Sequence, residues 1–304
     1  MRALPTGGPA GIDTAPVRAL PSGRMRRSDL RIPVPGGDLI GWVAGDGPPV
    51  LLLHGGPAMS GDYIDPLAEE LVIGYRVAWY QQRGIAPSTE SGPHSVGQHV
   101  EDVAAVLDHL GWDDALVVGH SWGGFLVVAV AAQLGTRMRG AMAVDPLGTV
   151  DPATWPQFDE NMRNAVRPED RARFEELLAI PDEALTVEEA LEAQLIVWPG
   201  YFADPASAPP MPDTLMRVDA YLETFASIEE VQPGLAAGLP SLAVPFTFVH
   251  GLRSPMPVIE SSASVDRLPD AELETVEGAG HFIWHERPNA VRAGLDRLAA
   301  RTSA

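Results

Sequence analysis

The stretch VVGHSWGGF, residues 117–125, places a serine between glycines at the junction of two apolar runs. The run ALVVGH before it is typical of a buried strand, and WGGFLVVAVAAQLG after it is apolar all round, as in a helix buried on several sides. The pattern Gly-x-Ser-x-Gly on such a turn exposes the serine at a helix N-terminus, where the dipole favours developing negative charge. We therefore interpret Ser121 as a nucleophile; the alternative is a glycine-rich turn that only packs tightly.

A serine hydroxyl needs a base that removes its proton. Among the eight histidines, His281 lies in EGAGHFIWHERP, directly after the last strand-like segment, AELETV. Parallel topology would bring this loop to the same sheet edge as Ser121. We expect His281 to be the base, with His285 as a weaker substitute, and we expect His120 and His54 to be buried and hydrogen-bonded.

Acyl transfer also needs backbone donors for the oxyanion. The N–H of Trp122, the residue after the serine, is one candidate. The second is Gly56 in HGGP, which follows the strand-like VLLL, because glycine lets backbone N–H groups approach a ligand closely.

Strand-like and helical segments alternate from Pro49 to Asp145 and resume near residue 241, which predicts an α/β fold with a mostly parallel sheet flanked by helices. Between them, residues 151–240 contain 18 Asp or Glu against 5 Arg, with several helical segments. We expect one α/β core (28–149 and 241–304), a mostly helical insertion (150–240) and a flexible leader (1–27).

Composition narrows the classes of partner. The formal net charge is −20, which disfavours nucleic acid and anionic membrane surfaces and favours a small molecule. The chain has no cysteine and no lysine, so thiolate, disulfide and Schiff-base chemistry are excluded. We expect no metal and no cofactor. The leader lacks the continuous apolar stretch of a signal peptide, which we interpret as a cytoplasmic location; oligomeric state is left open.

Four segments in this order, LLLHGGP, YRVAWYQQRG, VVGHSWGG and EGAGH, resemble the α/β-hydrolase fold superfamily, especially its prolyl aminopeptidase-like branch. The similarity covers about residues 30–145 and 240–300, with the insertion where that family carries its lid. The resemblance implies a serine hydrolase: attack by Ser121, base catalysis by His281, an acyl-enzyme, and release by water.

The acid of the triad departs from this family. Ser254, in VHGLRSPMP, stands where the family places its carboxylate, and a serine cannot stabilise an imidazolium. Asp145 begins the loop after the strand-like RGAMAV, at the same sheet edge. Some haloalkane dehalogenases, which share the fold, are similar in carrying the acid there. We expect Asp145 to be the acid; the alternative is that it only caps the turn before Pro146.

Aromatic residues in the insertion and beside His281 are the candidate substrate contacts. They are Trp198, Tyr201, Phe202 and Trp284. Such rings line pockets and exclude water, but they equally pack a lid onto a core. The sequence leaves both interpretations open.

The sequence favours hydrolysis of an ester, lactone or amide of a small organic molecule. Three alternatives stay open. One is an aminopeptidase in which lid carboxylates such as Glu229 and Glu230 hold a substrate ammonium. The others are a biosynthetic cyclase or acyltransferase and a ligand-binding protein on the same fold.

Overall fold

Eight strands form one sheet in the computed structural model, which describes residues 26–148 and 154–303. In chain order they are β1 (Arg27–Val34), β2 (Gly37–Ala44), β3 (Pro49–Leu53), β4 (Arg76–Tyr80), β5 (Ala115–His120), β6 (Met138–Val144), β7 (Phe246–Gly251) and β8 (Ala271–Val276). The spatial order is β1-β2-β4-β3-β5-β6-β7-β8; β2 pairs antiparallel with β1 and β4, and the other neighbours are parallel. The predicted mostly parallel sheet is confirmed.

Helices cover both faces of this sheet. They are α1 (Asp65–Leu71), α2 (Val96–Leu110), α3 (Trp122–Leu134), α4 (Trp155–Ala165), α5 (Arg171–Leu178), α6 (Val187–Val197), α7 (Val218–Gly238), α8 (Val258–Val265), α9 (Ile283–Glu286) and α10 (Ala290–Arg301). Leu51 and Leu53 pack into the apolar cluster that contains α2 and α3, whereas Val50 and Leu52 pack with α1 and α10. Because side chains alternate along a strand, β3 is apolar throughout and supplies both cores.

The chain between β6 and β7 carries α4 to α7, and we call residues 154–245 the insertion. Part of it has an apolar cluster of its own, built on Met162, Val166, Phe174 and Val197. Helix α7 also contacts α2 and α3 of the core. The predicted division at 149–150 and most of the predicted leader, residues 1–25, lie outside the described residues.

None of the helices within residues 26–148 and 154–303 is long and apolar enough to cross a membrane.

The turn from β5 into α3 depends on glycines that admit no side chain. A Cβ on Gly119 would collide with the carbonyl group of Gly123, and a Cβ on Gly123 would collide with the carbonyl oxygen of Leu53 on the neighbouring strand. Both obstacles are backbone atoms, which cannot rotate away as a flexible side chain would. The start of α3 therefore lies directly against the end of β3.

We predict that Gly123→Ala lowers the free energy of unfolding by about 2 kcal/mol or more, because backbone must shift to admit the methyl group. Gly234→Ala is the matched control, since a Cβ there meets nothing within 4 Å and alanine favours the helix. Chemical denaturation of both variants tests this. Equal stability of the two variants would show that the turn is not sterically restricted.

Candidate active site

Ser121 is the residue at which β5 becomes α3. Its backbone has φ 56° and ψ −120°, a conformation rare for a residue with a side chain. The turn is held by neighbouring strands, since the Ser121 N–H donates to the carbonyl oxygen of Val144 on β6 at 3.0 Å. The Ser121 side chain makes no capping hydrogen bond to the helix, so its hydroxyl remains available.

Asp145 and His281 meet behind this serine. Asp145 follows β6 directly, with φ 43° and a fully buried side chain. His281 lies in the loop after β8, and its Nδ1 is 3.4 Å from Oδ2 of Asp145. Although β7 separates their strands, parallel pairing brings both loops to one edge of the sheet. The structure therefore brings Asp145 and His281 into contact. Ser254, in the loop after β7, has no carboxylate with which to stabilise a protonated His281.

Burial controls the charge of this pair. It raises the pKa of Asp145 from 3.8 to about 7, and the nearby His250 together with hydrogen bonds from Ser254 and Gly251 oppose that rise. Burial also lowers the pKa of His281 to about 3, so the imidazole is neutral at pH 7 and can accept a proton.

The loop after β3 faces the start of α3. Gly56 has φ +64°, and the N–H of Gly55 donates to the Tyr63 hydroxyl at 2.5 Å. Trp122 is the first residue of α3, where a backbone N–H has no acceptor within the helix. The loop and the helix start thus present backbone to one space beside Ser121.

His120 links three parts of the site. Its Nδ1 lies 2.8 Å from the Tyr63 hydroxyl, and its Nε2 lies 3.0 Å from the carbonyl oxygen of His281. Since a carbonyl oxygen only accepts, Nε2 carries the proton and Nδ1 accepts from Tyr63. The expectation that His120 is buried and hydrogen-bonded is confirmed, and so is the same expectation for His54.

A cavity of about 260 Å³ opens in front of Ser121. Its walls include His281, the two oxyanion candidates Gly56 and Trp122, and residues of the insertion. Nine of its 24 lining residues are aromatic: Tyr63, Trp122, Trp155, Phe158, Trp198, Tyr201, Tyr221, Phe225 and Phe282. The candidate reactive groups therefore border an apolar space of the size that holds a small organic molecule.

The four predicted aromatic contacts divide into two pairs. Trp198 and Tyr201 line the cavity. Phe202 and Trp284 do not belong to its wall; both are 3% exposed and pack with Phe282 in the core, so their prediction as substrate contacts is wrong. For Phe202 the reason is the short 3-10 turn over 198–201, in which residues three apart share a face and the next residue turns away. Trp284 lies on α9, where its ring packs against that of Phe282.

The cavity wall carries one charged side chain within the described residues, that of Asp159 on α4. No arginine of the described chain contributes to the wall, and the chain has no lysine. Glu229 and Glu230 lie exposed on α7, outside this wall, so their predicted contact with a substrate ammonium is wrong. The helix turns Ile228 inward and these two carboxylates to solvent.

Three residues near the site were not found from the sequence. Tyr63 and Asp159 belong to segments whose place at the cavity depends on the whole fold. His250 ends β7 in VHG, and its Nε2 lies 3.3 Å from Oδ1 of Asp145. A histidine that ends a strand at the edge where Ser121 and Asp145 also lie was the available signal. Across 26–148 and 154–303, no group of three or more His, Asp or Glu side chains is arranged to hold a metal ion.

Comparison with known proteins gives a consistent family. The family model for the alpha/beta hydrolase fold matches residues 48–288. The proline iminopeptidase of Clostridium botulinum is 24% identical over 264 residues, covering 82% of this chain and 88% of that one. The solved structure of VinJ has a TM-score of 0.70 at 22% identity, covering 90% and 98% of the two chains. The 2-hydroxy-6-oxo-6-phenylhexa-2,4-dienoate hydrolase of Rhodococcus sp. strain RHA1 has a TM-score of 0.65 at 22% identity, covering 91% and 100%.

The raised pKa of Asp145 gives a prediction about stability. A folded-state pKa of about 7 against 3.8 means that the protonated form is favoured in the fold, so this contribution is present at low pH and is lost as pH rises through 7. We expect the free energy of unfolding of Asp145→Asn to increase relative to that of the wild type as pH rises from 5.5 to 8, and the difference to become constant above pH 8. Denaturation across this range tests it, with the exposed Asp113→Asn as control. If the wild type instead became more stable relative to Asp145→Asn as pH rises, the burial argument would be contradicted.

Proposed function

Because the chain belongs to the α/β-hydrolase fold family and is a hydrolase, we propose that it cleaves an ester, lactone or amide through an acyl-enzyme on Ser121. The observation that carries this proposal is the buried contact of Asp145 with His281 at the wall of the cavity that Ser121 also borders. This arrangement fits a nucleophile, a base and an acid drawn from three neighbouring loops.

In the proposed reaction, Nε2 of His281 takes the hydroxyl proton as Ser121 Oγ bonds to the substrate carbonyl carbon. Asp145 holds Nδ1–H and stabilises the imidazolium that forms. His281 then gives the proton to the departing alcohol or amine, leaving an acyl-enzyme. Water, deprotonated by the same imidazole, attacks the acyl carbon, and the acid product leaves as Ser121 recovers its proton.

The tetrahedral intermediates carry negative charge on the former carbonyl oxygen. We assign its donors to the N–H groups of Trp122 and Gly56, two residues that line the same cavity as Ser121. Gly55 is a poorer choice, because its N–H already donates to Tyr63. The N-terminus of α3 adds its dipole to this stabilisation.

The cavity wall indicates which substrates are accepted. An aromatic surface without a cation favours a neutral or cationic apolar molecule, since a carboxylate inside it would lose its hydration without gaining a partner. A dienoate, the substrate named for the Rhodococcus structure, carries such a carboxylate. We therefore propose that this chain does not share that substrate class.

We predict that a fluorophosphonate labels the wild type and that Ser121→Ala abolishes labelling, because the probe reports an activated serine. His281→Ala should slow labelling by several orders of magnitude, since the triad acts as a unit. His285→Ala is the matched control, as His285 lies outside the cavity wall, and should label near the wild-type rate. Labelling is followed by intact mass. Undiminished labelling of Ser121→Ala would refute the nucleophile, and an unreactive wild type would favour a binding protein.

One observation favours an aminopeptidase as the second candidate. Asp159 places a carboxylate on the cavity wall among aromatic rings, where it could hold a substrate ammonium. Burial raises the pKa of Asp159, and the charge of Arg163 opposes that rise. A bound ammonium would lower the pKa further in the same way and favour the carboxylate.

We predict that Asp159→Asn raises KM for aminoacyl anilides about two- to fivefold if an ammonium binds there, because an ion pair at this exposed side chain is screened by solvent, and leaves neutral p-nitrophenyl esters unchanged. Glu160→Gln is the control, because Glu160 is exposed like Asp159 but lies outside the cavity wall. Equal kinetics of the two variants on both substrate series would remove the aminopeptidase version while leaving the ester hydrolase intact.

A further inference from the structure

A second imidazole, that of His250 at the end of β7, contacts the proposed acid. Its Nδ1 lies 3.0 Å from the Ser261 hydroxyl on α8, and its Nε2 lies 3.0 Å from the carbonyl oxygen of Met256. Because the carbonyl oxygen only accepts, Nε2 carries the proton and the Ser261 hydroxyl donates to Nδ1. The ring is 1% exposed, so these contacts hold it in one orientation without competition from solvent.

This orientation directs the Nε2–H group to the carbonyl oxygen of Met256 and also places Nε2 beside the carboxyl group of Asp145. Nε2 of His250 is 3.3 Å from Oδ1, while Nδ1 of His281 is 3.4 Å from Oδ2. The carboxylate therefore lies between two imidazoles, one on each oxygen. The hydroxyl of Ser254 and the N–H of Gly251 also favour the ionised form of this carboxyl group.

We propose that His250 is a positioning residue: its polar Nε2–H group, fixed 3.3 Å from Oδ1, favours the ionised form of Asp145 and keeps the carboxylate beside His281, with Ser254 assisting. The proposal rests on the proposed function, in which Asp145 is the acid. His250 itself does not line the substrate cavity, so it acts through Asp145 and not on the substrate.

The donors offset the cost of burying a carboxylate. Burial pushes Asp145 toward its neutral form, which could not stabilise an imidazolium, and each donor shifts the balance back toward the anion. The other titratable groups facing the cluster are His120 from β5 and Tyr201 from the insertion, both against the His281 ring. Burial lowers the pKa of His120 well below its usual value, so it adds no positive charge.

This arrangement also explains Ser254. A carboxylate at that position would lie beside Asp145, and two like charges in a buried space would suppress each other's ionisation. With the acid after β6, the end of β7 and its loop supply hydrogen-bond donors instead. In the proposed site the loop after β6 supplies the acid for the His281 imidazole, and the loop after β7 supplies a polar group beside that acid.

The test is the pH profile of kcat/KM for a neutral p-nitrophenyl ester, normalised to active sites by fluorophosphonate titration. His250→Leu removes the donor and should lower kcat about tenfold or more, with KM near wild type and the acid limb about one pH unit higher. His250→Gln can place an amide N–H where Nε2–H lies and should recover most of kcat and the wild-type limb. Ser254→Ala gives a smaller upward shift of the acid limb and serves as the test if His250→Leu does not fold. Ser262→Ala, whose hydroxyl donates to the carbonyl oxygen of Ile259 within α8, should match the wild type.

A wild-type profile in both His250→Leu and Ser254→Ala would overturn the proposal. So would equal kcat losses in His250→Leu and His250→Gln with an unmoved acid limb, because that result describes packing alone. Failure of the proposed function would give a different result, because Ser121→Ala would then keep both its fluorophosphonate labelling and its turnover.

Discussion

The close contact between the start of α3 and the end of β3 determines where every other part of the site lies. Two glycines permit it, since a methyl group on Gly119 or Gly123 would meet backbone. At this contact Ser121 has a positive φ angle, and its N–H donates to the carbonyl oxygen of Val144 on β6. As a result, the serine projects from the sheet edge beside the loop that contains Gly56, and the cavity forms above both.

The second constraint is a carboxylate that must be ionised in a place where burial favours its neutral form. Asp145 is fully buried and has a raised pKa, yet its proposed role needs the anion. His250, Ser254 and Gly251 lie near it and favour the anion. Within the described residues neither oxygen of this carboxyl group has a hydrogen bond of good geometry. Its ionised form therefore depends on the polar groups that β7, the strand between those of the acid and the base, places near it.

Much of this edge could be predicted because its signals are local. Glycine spacing around Ser121, the loop after the last strand and the strand before Asp145 each stand in short stretches, and parallel topology gathers such loops by itself. Insertion side chains follow no such rule. Trp198 and Tyr201 share a face because they are three apart in a 3-10 turn, while Phe202 packs inward, and no pattern in the sequence indicates that turn. The position of Asp159 at the cavity depends on how α4 packs. The role of His250 depends on its contact with Asp145, which follows a different strand.

The central claim is that an acyl group passes through Ser121, and its most direct measurement is the mass of the intermediate. The protein is mixed with a p-nitrophenyl ester, quenched in acid within milliseconds and digested. The account predicts that the peptide containing Ser121 gains the mass of the acyl group less one hydrogen, and that the adduct decays as product forms. Turnover without any adduct, or an adduct on another residue, would contradict it.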